Sequence, residues 1–409
     1  MGNMAVVPSP GFRELRLETV RGGEGFFRAA QEKSGRWSLL TPTGEFFFLK
    51  GVHGVRAAEG QGDGALPIDS AARLRGWGFN AIGVTSGTTG GEDGFPFLGL
   101  ADFVRVGRPL LGPGLRLPDV FDPGWPRVAG EHARAVTGRL RECRELIGWV
   151  TDDRLGWAQP ASHGRPALLQ LCLSLEPHCA AYHAAWEFTL ALHRGSLAIL
   201  SRAWGVSLPN KGTVRELTRA EQGFGSRDYL RDEARWSRDF ARRYLTSTSQ
   251  ALRAADPNHL VLGCRFDGRA GLALGAECVY PAVDVGLLDW RELAAPSAGP
   301  AANPVLVSDV SWAEPDFIHL PTAARVLRLT SLEWMLRRGR TSLERAARHP
   351  AVVGYAWGRW QDEPGEQPPF ARGLIHLNGI EAREHTELLA QFNARAENLR
   401  SAAASLVPP

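Results

Sequence analysis

Lysine is close to absent. Only Lys33, Lys50 and Lys211 occur among 47 cationic residues, the rest being arginine, and 44 acidic residues leave a formal charge of +3 over 409 residues. Bias of this kind reflects a GC-rich genome rather than a ligand requirement. The charge is spread along the chain without a basic stripe, which excludes the electrostatic footprint of a nucleic-acid binder. Long apolar runs are missing as well: nowhere do eighteen apolar residues follow one another, so no membrane partner is expected. The opening MGNMAVVPSPGFREL holds no apolar run of signal-peptide length, and the chain as given is expected to stay in the cytoplasm. The five cysteines (Cys143, Cys172, Cys179, Cys264 and Cys278) are odd in number and lack the close pairs of a zinc site or a disulfide framework. They read as reduced, buried small hydrophobes, and neither a metal nor another cofactor is expected. The glycine-rich stretch GTTGGEDG at 87–94 carries no lysine and no phosphate-loop spacing, so it reads as a connecting loop.

What is present is ordinary for a folded chain: 44% hydrophobic and 22% charged residues. Short apolar runs bounded by turn residues recur at 46–49, 79–84, 103–106, 146–150, 260–264, 283–288, 304–307 and 351–357. Helix-like stretches lie near 70–77 and at 127–145, 179–204, 227–254, 322–347 and 382–404. Eight strands alternating with helices favour an α/β fold closed as a (β/α)8 TIM barrel over an open doubly wound sheet. Residues 36–55 carry a two-strand pattern around a Pro-Thr-Gly turn, a short N-terminal β-hairpin leading into the first barrel strand. The expected organisation is an N-terminal extension over 1–35 and one barrel over 36–405. Within it, 156–258 forms an elaborated connection after strand four that walls the active face.

In such barrels functional groups follow the C-terminal ends of the strands. That rule selects His53 after strand one and Asp152, Asp153 and Arg154 after strand four. It selects Arg265 and Asp267 after strand five, Asp289 and Trp290 after strand six, and Ser308 and Asp309 after strand seven. Trp357 ends strand eight, with Arg359, Trp360, Asp362 and Glu363 behind it. Carboxylates to handle a glycosidic oxygen, together with flat indole faces for sugar C–H surfaces, are what carbohydrate chemistry requires. Asp152 and Asp362 also read as structural caps or as hydrogen bonders behind the substrate-contacting residues, and the glycines flanking His53 would permit close approach of a ligand.

Residues 147–157 (IGWVTDDRLGW) resemble the fourth-strand motif of β-agarase-like members of the large barrel clan of retaining β-glycosidases. Further segments resemble the same family in the same order: WSLLTPTGEFFFLKG at 37–51, LRGWGFN at 74–80, DVFDP at 119–123, DPNHLVLGCRF at 256–266, VLVSDVSW at 305–312 and RHPAVVGYAWGRWQDEP at 348–364. The resemblance spans roughly 36–400 and implies a sugar-hydrolysing barrel with two catalytic glutamates. Here it departs. The family's acid/base glutamate aligns with Arg154, and its nucleophile glutamate with Asp309.

An arginine holds its proton in a protein, so Arg154 cannot be a general acid. Three readings follow. In the first, catalysis is rebuilt with Asp153 or another mouth carboxylate as acid and Asp309 as nucleophile or base; an Asp–Asp pair would sit wider than the roughly 5.5 Å of a retaining pair and nearer the roughly 6.5–9.5 Å of an inverting one. Alternatively Arg154 and Asp309 neutralise each other as an ion pair. In the third, Arg154 grips the carboxylate or sulfate of an acidic sugar. Asp309 and Asp153 are the candidate catalytic residues; Arg154, His53, Asp152, Arg265, Asp289, Trp290, Trp357 and Trp360 are the candidate substrate-binding ones. The expected function is cleavage of a β-linked oligosaccharide, an acidic one among the candidates. The alternative is a catalytically silent relative that binds carbohydrate or serves as a structural partner. Neither the sugar nor the oligomeric state is specified by the residues.

Overall fold

The computed structural model describes residues 14–55, 68–84, 94–112, 115–155, 166–266, 281–289, 303–312, 328–366 and 371–404. The chain opens with a four-stranded antiparallel sheet, β1 (Leu15–Arg21), β2 (Arg28–Glu32), β3 (Trp37–Leu40) and β4 (Phe46–Phe47). There follow β5 (Leu49–Val52), α1 (Ile68–Gly76), β6 (Ala81–Ile82), β7 (Phe97–Leu100), a 3₁₀ turn at Phe103–Arg105, the hairpin β8 (Pro109–Gly112) and β9 (Leu115–Pro118), and α2 (Trp125–Thr137). After β10 (Leu146–Leu155) come α3 (Leu168–Ser174), α4 (Ala180–Leu192), α5 (Leu197–Trp204), α6 (Gly212–Arg219) and the long α7 (Arg227–Ala255). The chain ends with β11 (Leu260–Phe266), β12 (Gly286–Asp289), β13 (Val305–Val310), α8 (Arg328–Arg348), β14 (Val352–Trp357), α9 (Arg383–Asn393) and α10 (Ala396–Ala404).

Eight of these strands form one parallel sheet in the order β11-β10-β7-β6-β5-β14-β13-β12, the (β/α)8 barrel expected from the alternation. The seam between β11 and β12 is closed by Asp284 and Val285, both on Val261. Asp284 donates its backbone N–H to Val261 O at 2.7 Å and accepts the Val261 N–H on its carboxylate at 2.8 Å. Leu49, Ala81, Leu98, Ile147, Leu262, Leu306 and Val353 are fully buried and fill the interior together with Phe27, Ala29, Trp37 and Leu39 of the antiparallel sheet. That sheet is tied to the approaches of the barrel strands, through Trp37 N–H to Pro350 O and Gly23 N–H to Asn258 O, both 2.8 Å. It therefore seals the N-terminal end and leaves the opposite end for chemistry.

The outer layer is set by α7. Ser226 caps its start by accepting from Tyr229 N–H, and Tyr229, Trp236, Phe240 and Tyr244 recur at helical spacing on the buried face. Each buried aromatic of this kind contributes about 1.5–3 kcal/mol relative to exposure. Behind α7 the buried carboxylate of Asp256 accepts from Trp149 Nε1 of β10 (2.8 Å) and from His259 Nδ1 (2.8 Å). His259 Nε2 in turn donates to Cys143 O at 2.8 Å.

Three expectations change. The third barrel strand is Phe97–Leu100; the apolar run at 103–106 is a 3₁₀ turn preceded by Asp102 at φ 59°. The stretch expected as one helix over 179–204 breaks at Arg194 (φ 54°) and Gly195, and that over 382–404 breaks at Ala394. Between the helix-like stretches at 179–204 and 227–254, where no helix was expected, lies α6. Among the described residues no helix is long and apolar enough to cross a membrane.

Candidate functional site

At the end of β13 the ladder slips. Val307 pairs with Tyr355 and Val310 with Trp357, so three steps on β13 oppose two on β14, a bulge centred on Ser308 and Asp309. Asp309 occupies its left-handed position at φ 57°. Such a backbone costs a non-glycine residue about 1–3 kcal/mol and persists only where the surroundings impose it, typically at functional sites. Asp and Asn tolerate it best. The carboxylate lies against Gly358, where a Cβ would come within 2.7 Å of Oδ1, and its side chain is 27% exposed.

The end of β10 slips in the same way against β11. Asp152 and Asp153 then part company. Asp152 is fully buried and accepts from Val104 N–H at 2.7 Å and from the Tyr244 hydroxyl of α7. Burial pushes its carboxyl up to about 7, partly countered by those hydrogen bonds. Asp153 is 35% exposed and accepts from Arg265 Nε at 2.5 Å. Arg265, only 5% exposed, also brings Nη1 to 3.8 Å from Asp309 Oδ1, and that nitrogen has no hydrogen-bond acceptor. The carboxylates of strands four and seven thus converge on one buried guanidinium, whose span keeps the two oxygens within about 9 Å of each other.

The other candidates fall elsewhere. His53 is buried, with Nε2 3.0 Å from Ser308 Oγ and Nδ1 2.8 Å from Val84 N–H. Trp357 is fully buried, packed at 4.4 Å on Trp312 and donating to Arg372 O, so it presents no face for sugar stacking; its place is between the barrel wall and α9. Trp360 is buried against Trp77. Asp362 accepts from Gly373 N–H and His376 Nδ1, the capping role. Asp152, with both oxygens engaged behind the sheet, is likewise withdrawn from the mouth. The side chains of Arg154 and Asp289, and all of Asp267 and Trp290, lie outside the described residues.

Residue-by-residue reading missed two partners. Tyr244 on α7, 92 residues beyond its partner Asp152, carries no signal of its own in the chain. Glu366, beside Arg359 (3.1 Å) and Arg372 (2.7 Å), follows the acid-rich segment after strand eight. Burial would raise its carboxyl, but the Glu363 N–H and the two arginines hold it below the usual range.

No family model matches the chain. β-Agarase A of Vibrio sp. (strain JT0107) is 21% identical over 430 residues, covering 83% of this chain and 42% of the relative, so the chain spans less than half of that protein. An exo-β-agarase structure superposes with a TM-score of 0.64 at 16% identity, over 93% of this chain and 66% of its own. The structure named BpGH50 gives 0.63 at 15% identity, over 96% and 85%. The chain shares its (β/α)8 barrel fold with these structures. A β-galactosidase from Rahnella sp. R3 shares it more distantly, with a TM-score of 0.51 at 12% identity over 86% of this chain and 56% of the other. Within this barrel, Asp153, Arg265 and Asp309 stand at the C-terminal mouth, where the fold places its chemistry.

Proposed function

We propose that the chain hydrolyses a β-linked oligosaccharide at the barrel mouth, with Asp309 as the carboxylate that attacks the anomeric carbon or activates water against it. Asp153 is the second carboxylate, and Arg265 aligns the two. The observation that carries this reading is the bulge at the end of β13, which spends backbone strain to present a half-exposed carboxylate beside a buried arginine. The names of the relatives, agarases and β-galactosidases, make β-galactosides and agarose fragments the first substrates to try.

Arg154 replaces the expected proton donor, so departure of the aglycone is unassisted at that position. General acid catalysis contributes about 10²–10⁴-fold, and its loss is felt most by poor leaving groups. The expected outcome is a steep leaving-group dependence: a 2,4-dinitrophenyl β-galactoside should be cleaved at least ~10²-fold faster than a methoxyphenyl one. A flat dependence would show that an efficient proton donor is in place and would remove this reading of Arg154.

One observation favours a second reading. Arg265 pairs with both carboxylates, as a sugar-binding relative without turnover would tolerate. Calorimetric binding of an agaro-oligosaccharide with no product on any activated aryl glycoside would decide for it.

A further inference from the structure

A left-handed aspartate has to be held from both sides. On the C-terminal side the hold is Val310 O, which accepts the Gly358 N–H at 2.9 Å. On the N-terminal side stands Ser308, whose backbone pairs with Asp289 of β12 and whose Oγ lies 3.0 Å from His53 Nε2. The other ring nitrogen, Nδ1, lies 2.8 Å from Val84 N. A backbone N–H can only donate, so Nδ1 is the unprotonated nitrogen; the neutral ring carries its proton on Nε2 and donates it to Ser308. The backbone N–H of His53 donates to Trp357 O at 2.9 Å. The imidazole fills the space opened by Gly83, where a Cβ would lie 2.5 Å from Nδ1. One buried residue, by its ring and its backbone, therefore joins the end of β5 to the residues after β6, to β14 and to the bulge of β13.

We propose that His53 is a positioning residue for Asp309: by donating to Ser308 it fixes the bulge, and with it the direction of the carboxylate. This rests on the reading of Asp309 as the working carboxylate. His53 touches no substrate in this role, and the glycines around it serve the packing of the ring and the turn of the chain.

Amide side chains separate its two bonds. In His53→Asn the carbonyl stands near the Nδ1 position and still accepts from Val84, but nothing reaches Ser308. In His53→Gln the amide stands near the Nε2 position and still donates to Ser308. Ser308→Ala removes a single hydroxyl and leaves the core filled. On an activated aryl β-galactoside, His53→Asn and Ser308→Ala should each lower kcat by about tenfold or more at nearly constant KM, while His53→Gln keeps most of it. Two readouts need no turnover. Long-range 1H–15N correlation should report the Nε2-protonated ring in the wild type, and the crystal structure of Ser308→Ala should show Asp309 leaving its positive φ. An Nδ1-protonated ring, an unmoved Asp309 in Ser308→Ala, or His53→Asn as active as His53→Gln overturns the proposal. A wild type that cleaves nothing overturns the hydrolase reading alone, because the spectrum and the crystal structure still decide this one.

Discussion

Asp152 and Asp153 are neighbours on β10, one engaged by Tyr244 behind the sheet and the other by Arg265 at the mouth. Their environments give them different work. Asp152 has lost its water, and its carboxyl is pushed up to about 7. Between the ordinary carboxylate value near 4 and that raised value, the folded chain keeps a proton that the unfolded chain releases, so stability falls as pH rises through this window, by on the order of 4 kcal/mol. Asp152→Asn should flatten that decline while keeping Tyr244 and Val104 partnered, checked by urea unfolding at pH 4.5 and 7.5; an equally steep decline in the variant would refute the assignment. Both aspartates were legible as candidates from their position after an apolar run, and only Asp153 reaches the mouth. Which of them faced solvent was not, because the bulges of β10 against β11 cancel the simple alternation of a strand. Arg265 was legible as a candidate for the same reason, but its choice of partners depends on side-chain directions that the order of residues does not carry.

At the scale of elements, bulged strand ends and the glycines beside them set the site. Gly358→Ala places a methyl group 2.7 Å from Asp309 Oδ1 and should lower kcat/KM on aryl β-galactosides about 10- to 100-fold with little loss of stability. An unchanged kcat/KM would mean that the carboxylate has room to spare. The link between α7 and β11 makes a separate demand. Burial alone would raise the Asp256 carboxyl, yet bonds from His259 and Trp149 hold it below its usual value. Its contribution is therefore present above about pH 4 and lost as pH falls through the lowered value. Asp256→Asn should cost about 2–3 kcal/mol at neutral pH and remove that part of the acid limb, as read by thermal unfolding against pH. Strands β13 and β14 were recognisable because their apolar runs are bounded by polar mouth residues. Strand β7 was obscured by Pro96 and Gly99, which weaken the strand signal, while the equally apolar run at 103–106 turns back as a 3₁₀ turn whose Val104 N–H is taken by Asp152. The break between α9 and α10 falls at Ala394 and Arg395, with no glycine or proline to announce it.

For the whole molecule, one architecture accounts for the separation of stability from chemistry. The antiparallel sheet and the Asp256 network close the N-terminal end, and the strain of Asp309 and the buried Arg265 lie at the other. Alternation of apolar runs and helix patterns made the barrel legible, since eight buried strands require helices on their outer face. The sequence resemblance implies a glutamate pair where the chain carries Arg154 and Asp309, and one charge that faces Asp309 is Arg265. Turnover at this mouth should depend on Asp309. The most direct test is kcat/KM for 2,4-dinitrophenyl β-galactoside with wild type and Asp309→Asn, a substitution whose backbone tolerates the same left-handed conformation. The wild type should turn the substrate over and the folded variant should lose ~10³-fold or more; equal turnover in the two would take Asp309 out of the chemistry.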